Sequence, residues 1–123
     1  MLNKRQRLGQ EGEHYVAKYL KKKGYQILDK NYRCKLGEID IIARDGEELV
    51  FIEVKTRSGL SHGSPAAAVD VRKQRQISRT AQWYLAEQTL FDSPARFDVI
   101  CLLFDDTRQL TVEHISNAFD LCE

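Results

Sequence analysis

The sequence predicts an α/β domain, a mixed central sheet of about five strands flanked by helices in the order α-β-β-β-α-β-β. Three observations lead there. Two stretches carry apolar residues at helical spacing, an Asp-Gly turn joins two runs rich in isoleucine and valine, and two more apolar runs follow the second helical stretch. Residues 1–123 contain no repeat and no Pro/Gly/Ser-rich linker. They read as a single domain with its core at about 8–115 and a short acidic tail.

From about Gln10 to Lys23, Tyr15, Val16, Tyr19 and Leu20 form one apolar stripe, and Gly24 stands where a left-handed cap ends a helix. Gln26 to Arg33 reads as a strand, Leu36-Gly37 as a turn, and Glu38 to Arg44 as a second strand. Asp45-Gly46 marks a hairpin, and Leu49 to Thr56 is the third strand. Ser58 to Pro65 reads as a loop, and Gly59 to Gly63 within it as either a mobile lid or a plain connection. Asp70 is placed to cap a second helix reaching about Gln88, whose stripe is Ile77, Ala81, Tyr84 and Leu85. After Ser93-Pro94, Arg96 to Phe104 is a fourth strand; Asp105-Asp106 turns into a fifth near Gln109 to Ile115.

No apolar run approaches the ~20 residues of a bilayer span, so no membrane partner is expected. Met1 to Arg5 is not followed by an apolar leader segment. Cys34, Cys101 and Cys122 are odd in number and widely spaced, which predicts reduced thiols and a cytoplasmic protein, with Cys101 in the core.

The net charge of +1 hides a segregated pattern. Residues 1–35 carry ten Lys/Arg against three Asp/Glu, and 36–71 carry three against seven. Residues 72–104 carry five against three, and 105–123 one against five. Basic segments therefore flank an acidic one. The clusters Lys4-Arg5-Arg7, Lys21-Lys22-Lys23 and Arg72-Lys73-Arg75-Arg79 suit either a solvated face or a phosphate backbone.

Glu53 and Lys55 lie two apart on the third strand, so they share a face, roughly 6.6 Å apart, while Val50, Ile52 and Val54 point to the other. Counting outward from the Asp45-Gly46 turn brings Asp40 beside Glu53. Two adjacent carboxylates repel unless a cation lies between them. Such oxygen ligands suit Mg²⁺ or Mn²⁺, and the nearby lysine can orient an attacking water. Arg57, Arg72 and Lys73 are the candidate phosphate contacts. Glu38 shares a strand with Asp40 and reads as solvated or supporting. Arg96 and Asp98 read as a local salt bridge, and Trp83-Tyr84 as core or interface, with stacking on a nucleic-acid base the lesser alternative.

Asp40 followed across a hairpin by Glu53-Val54-Lys55 resembles the PD-(D/E)xK signature of restriction-endonuclease-like nucleases. Gly12 to Ala17 resembles the first helix of the Holliday-junction-resolvase branch, whose extra acidic residue matches Glu13. The wider set resembles the YraN-like family of uncharacterised bacterial proteins. That set comprises Gly12 to Leu20, Gly24-Tyr25, Asn31-Tyr32-Arg33, Gly37 to Ile42, Phe51 to Arg57, Lys73 and Arg96 to Ile100.

The resemblance implies a restriction-endonuclease-like fold. Asp40 and Glu53 would be metal ligands with the Val54 carbonyl as a third, Lys55 would position the water nucleophile, and Glu13 would ligate a metal or orient its water shell. It further implies a Mg²⁺- or Mn²⁺-dependent endonuclease hydrolysing phosphodiesters of DNA, branched DNA included, and a homodimer matched to the two cut sites of a junction. Ile39 replaces a frequent proline. The second helix lacks the Gln-x-x-x-Tyr element of some helicase-associated nucleases, which disfavours a processive exonuclease. The alternatives are a catalytically silent nucleic-acid-binding or scaffold protein on the same fold, and a protein-interaction module using the acidic tail.

Overall fold

A computed structural model describes residues 3–58, 69–104, 107 and 109–122, with backbone only for residues 4, 5, 8 and 58. The Gly59–Gly63 stretch, the Asp105-Asp106 turn and the side chains of Lys4 and Arg5 lie outside the described residues. The elements follow the predicted order: α1 Lys4–Lys22, β1 Gln26–Cys34, β2 Gly37–Asp45, β3 Glu48–Ser58, α2 Val71–Glu87, β4 Ala95–Phe104 and β5 Leu110–Phe119.

The five strands form one mixed sheet in the order β1-β2-β3-β4-β5. Only β3 and β4 are parallel, joined by the crossover that carries α2. One helix covers each face. Val16 and Leu20 of α1 pack on Ile41, Ala43, Val50, Ile52, Ile100 and Leu102. Ile77, Ala81 and Tyr84 of α2 pack on Ile42, Leu49, Phe51, Phe97, Val99 and Cys101. Strand alternation therefore puts Glu53 and Lys55 on the α2 side, as their spacing predicts. No described helix is long and apolar enough to cross a membrane.

Helix α1 begins six residues earlier than its apolar stripe predicts. Asn3 caps it, accepting the Gln6 N–H at 2.8 Å, while the Gln6 side chain takes the Asn3 N–H at 3.1 Å. This reciprocal cap extends the helix through a polar turn that periodicity cannot read. Tyr15 is 44% exposed, so the buried stripe runs through Gly12, Val16, Tyr19 and Leu20 instead. Gly24 ends the helix at φ +92°, with the Tyr25 N–H donating to the Leu20 carbonyl and the Gly24 N–H to that of Lys21. Strand β5 continues past Ile115 to Phe119, because Ala118 and Phe119 pack against the α2-side core.

The Arg96–Asp98 pair is the centre of a larger network. Arg96 donates to Asp98 (3.0 Å), Glu48 (2.6 Å), Asp45 (3.1 Å) and the Tyr25 hydroxyl (2.7 Å). Asp98, fully buried, also takes His114 Nε2 at 2.7 Å and the Asn117 N–H at 3.0 Å. Burial alone would raise the Asp98 pKa, but the bonds from His114, Arg96 and the Asn117 amide outweigh it and hold the carboxyl below its ordinary value. The network ties β4 to the β2–β3 hairpin, the end of α1 and β5.

Removing one partner strands a buried charge. Arg96→Met is expected to destabilise the fold by about 3–5 kcal/mol in denaturant titrations at neutral pH. A depressed carboxylate contributes stability that is complete above its unfolded pKa and is lost as pH falls through the folded one. Asp98→Asn should therefore remove part of the acid sensitivity, and an unchanged acid limb would refute this account.

Candidate active site

The β2–β3 ladder runs from Asp45↔Glu48 to Ile41↔Ile52, so Asp40 is next in line opposite Glu53, where the turn count put it. Regular pairing stops there. Ile41 faces α1, yet Ile39, two residues away, faces α2. Alternate residues of a regular strand share a face, so the strand is broken at Asp40. On β1, Lys30 pairs with Ile41 and Tyr32 with Ile39, which leaves Asn31 across from Asp40. Asn31 has φ +52°, a left-handed conformation that asparagine tolerates better than most residues.

Asp40 uses this break. Its carboxylate accepts the Val54 N–H at 2.8 Å, so a side-chain oxygen replaces a ladder carbonyl. A strand residue aims its N–H and C=O at the same neighbour, so the Val54 carbonyl faces the Asp40 side as well. Beside it, Glu53 is only 6% exposed. Its Oε1 stands 3.7 Å from Lys55 Nζ and 4.0 Å from Lys73 Nζ, ion-pair distances too long for hydrogen bonds. Both lysine side chains keep about a third of their surface in solvent.

Burial pushes the Glu53 carboxyl up to about 7, and the charge of Asp40 adds to this against the pull of Lys73 and Lys55. Asp40 is raised too, chiefly by burial; the Val54 hydrogen bond opposes this and the charge of Glu38 reinforces it. Two desolvated, mutually repelling carboxylates beside a backbone carbonyl suit a hard divalent cation that keeps most of its waters.

Glu13, on α1, reaches this region from the other face of the sheet. Burial raises its pKa and so does the charge of Asp40, while a hydrogen bond with Asn31 lowers it. Among the described residues no three Asp, Glu, His or Cys side chains converge on one ion position. Glu13 therefore stands near the pair without completing a three-carboxylate centre. Glu38 pairs with Arg33 at 3.3 Å. Arg57, half-buried farther along β3, and Arg72, exposed on the first turn of α2, stand outside the cluster.

Sequence reasoning named Lys73 only as a phosphate contact and missed the parts played by Asn31 and Gly12. Lys73 is a second cation on Glu53, visible only once α2 is docked. Asn31 sits at the strand break. Gly12 lets α1 approach, because a Cβ there would lie 2.3 Å from Thr56 Oγ1 and 3.2 Å from Leu102 Cδ1. Asp70 accepts the Lys73 N–H at 2.8 Å, so the α2 terminus is capped by its own carboxylate.

Residues 12–102 match the uncharacterised protein family UPF0102, a span holding every candidate residue from Glu13 to Lys73. A UPF0102 protein of Geotalea uraniireducens is 51% identical over 114 residues, 93% of this chain and 90% of the relative. That of Geobacter metallireducens is 50% identical over 114 residues, 93% of each chain. That of Syntrophotalea carbinolica is 50% identical over 121 residues, 98% of each chain.

Two outcomes follow. Alanine usually stabilises a helix by up to ~1 kcal/mol over glycine, but Gly12→Ala is expected to destabilise by roughly 1–3 kcal/mol through overpacking. Adding Thr56→Ala should recover part of that loss; a stabilised Gly12→Ala alone would refute the close approach. For Glu53, the folded pKa lies above the unfolded one, so the folded state holds a proton that the unfolded chain releases. Without divalent cation, stability relative to Glu53→Gln should fall as pH rises from 4.5 to about 7, by on the order of 2–3 kcal/mol. Parallel stability curves for the two proteins would contradict the raised value.

Proposed function

This chain belongs to the uncharacterised protein family UPF0102, and we propose that it is a metal-dependent endonuclease hydrolysing phosphodiester bonds in DNA. The observation that carries this reading is the pair of half-buried Asp40 and buried Glu53 at a break in the sheet, with a half-exposed lysine 3.7 Å from one carboxylate. The resemblance to the PD-(D/E)xK nucleases supports it.

Asp40, Glu53 and the Val54 carbonyl would hold Mg²⁺ or Mn²⁺. When bound, that ion neutralises the carboxylates and stabilises charge on the phosphate in the transition state. The Val54 amide fixes one Asp40 oxygen, so the pair is set before substrate arrives. Lys55, held beside Glu53 with its ammonium still reaching solvent, orients the attacking water and donates to the phosphate oxygens. Glu13 acts from the α1 side by ordering water about the pair. Lys73 balances Glu53 and faces the incoming strand.

A second reading has one observation in its favour. Lys55 and Lys73 already flank Glu53, an arrangement a silent nucleic-acid-binding scaffold would also need.

The purified chain is expected to cut within a panel of linear, flapped and four-way DNA in Mg²⁺ or Mn²⁺. Asp40→Ala and Lys55→Ala should each lower the rate by about 10²–10⁴; Lys55→Ala should melt like wild type, and Asp40→Asn, which can still accept the Val54 N–H, serves as the folded control for Asp40. No cleavage of any substrate by wild type would withdraw the enzyme claim, and salt-sensitive binding without cleavage would select the scaffold. Sedimentation on the four-way junction reads whether two copies act together.

A further inference from the structure

Arg72, Arg75, Arg79 and Trp83 recur at i, i+3, i+7 and i+11 along α2, so they form one stripe. All four are exposed, while Ile77, Ala81 and Tyr84 turn inward. Between Val71 and Ala86 the helix carries no Asp or Glu. The β1–β2 turn is seated against it: a Cβ on Gly37 would lie 2.7 Å from the Gln76 side chain and 2.9 Å from Thr80 Oγ1. That seating puts Leu36 with Arg72, Arg75 and Arg79 around a surface depression of ≈ 690 Å³. Among the described residues of its wall the one acid, Asp70, already accepts the Lys73 N–H. Lys73 lines the same depression and reaches Glu53, which joins it to the carboxylate pair.

At the far end of the stripe, Lys35 Nζ stands 5.1 Å over the Trp83 ring. The indole face is therefore engaged by a cation from the β1–β2 turn. Trp83 is a platform that holds Lys35 in line with the arginines, a different use from stacking on a base.

We propose that the α2 stripe Arg72–Arg75–Arg79, extended by Lys35 on Trp83, is the track that grips the phosphate backbone of a DNA duplex and leads it to Asp40 and Glu53. The inference rests on the nucleic-acid reading of the carboxylate site, but not on cleavage. Arginine matches phosphate bidentately. The stripe spans about 16 Å at 1.5 Å per residue, the axial length of roughly five base pairs at 3.4 Å each. Among the described residues the depression's wall is polar and basic apart from Leu36, which suits a phosphate backbone better than an amphipathic helix.

The test is binding of a fluorescent duplex of about 30 base pairs in EDTA over a range of salt, with cleavage of the substrate panel measured in parallel. Arg75→Ala and Arg79→Ala should each weaken binding about three- to tenfold and flatten the log K against log salt slope by roughly 0.9. Arg75→Lys and Arg79→Lys should keep the slope. Lys35→Ala and Trp83→Ala should weaken binding equally, with no further loss in the double variant, and Trp83→Phe should restore it.

Unchanged affinity and slope in the arginine variants would overturn the track, whether or not wild type cuts DNA. Equal competition by polyglutamate would also overturn it, in favour of a general polyanion surface. The expected binding losses with a wild type that cuts nothing would support the track and defeat the nuclease reading.

Discussion

The hydrogen bond from the Val54 amide to the Asp40 carboxylate, at 2.8 Å, replaces a backbone-to-backbone rung in the middle of a three-strand pairing. A carboxylate can take that rung only if the strand presents it edge-on to β3. The face reversal between Ile39 and Ile41 and the left-handed Asn31 opposite Asp40 produce that presentation. Glu53 then faces a second carboxylate that the Val54 amide holds in place. Lys55, Lys73 and Glu13 are arranged around that consequence, each from a different part of the chain.

Two buried acids in one sheet show how differently the fold treats charge. Asp98 is met by a guanidinium, an imidazole and a backbone amide within 3.0 Å, and its carboxyl is held below its ordinary value. Glu53 has two ammonium groups at 3.7 and 4.0 Å and a like charge beside it, and its carboxyl is pushed up to about 7. Both sites belong to the same β3–β4 parallel pair, since Asp98 registers with Ile52, next to Glu53. A fold able to neutralise one acid so completely leaves the other under-compensated, and this contrast is what marks Glu53, rather than Asp98, as the candidate functional carboxylate.

Much of this was legible in the sequence because it depends on periods of two and 3.6 and on turns. The element order, the hairpin register that aligns Asp40 with Glu53, and the facing of Glu53 and Lys55 all follow from such local rules. Features set by docking were not legible. The start of α1 depends on a cap whose residues carry no apolar signal. Lys73 reads as a phosphate contact from charge alone, and only the seating of α2 on the sheet brings it to Glu53. Gly12 looks like a helix weakener until Thr56 and Leu102 are placed against it. Trp83 reads as core or interface by hydropathy, whereas its ring in fact carries Lys35.

The net charge of +1 is the sum of these local arrangements and describes none of them. In the acidic middle segment, Asp45 and Glu48 neutralise Arg96, and Glu38 pairs with Arg33. The acids of that segment left over are Asp40, Glu47, Glu53 and Asp70, of which Asp40 and Glu53 stand side by side. On α2, by contrast, three arginines face solvent on one stripe with no acid from Val71 to Ala86. A polyanion approaching the protein meets the arginines first, because field strength falls off within about a Debye length of 8–10 Å. Lys73 stands between the two regions and balances Glu53 against the repulsion a phosphate would otherwise feel. A near-neutral chain can thus present a cationic approach and an anionic centre at adjacent positions. That separation follows from placing the carboxylates on β2 and β3 and the arginines on the outer face of α2.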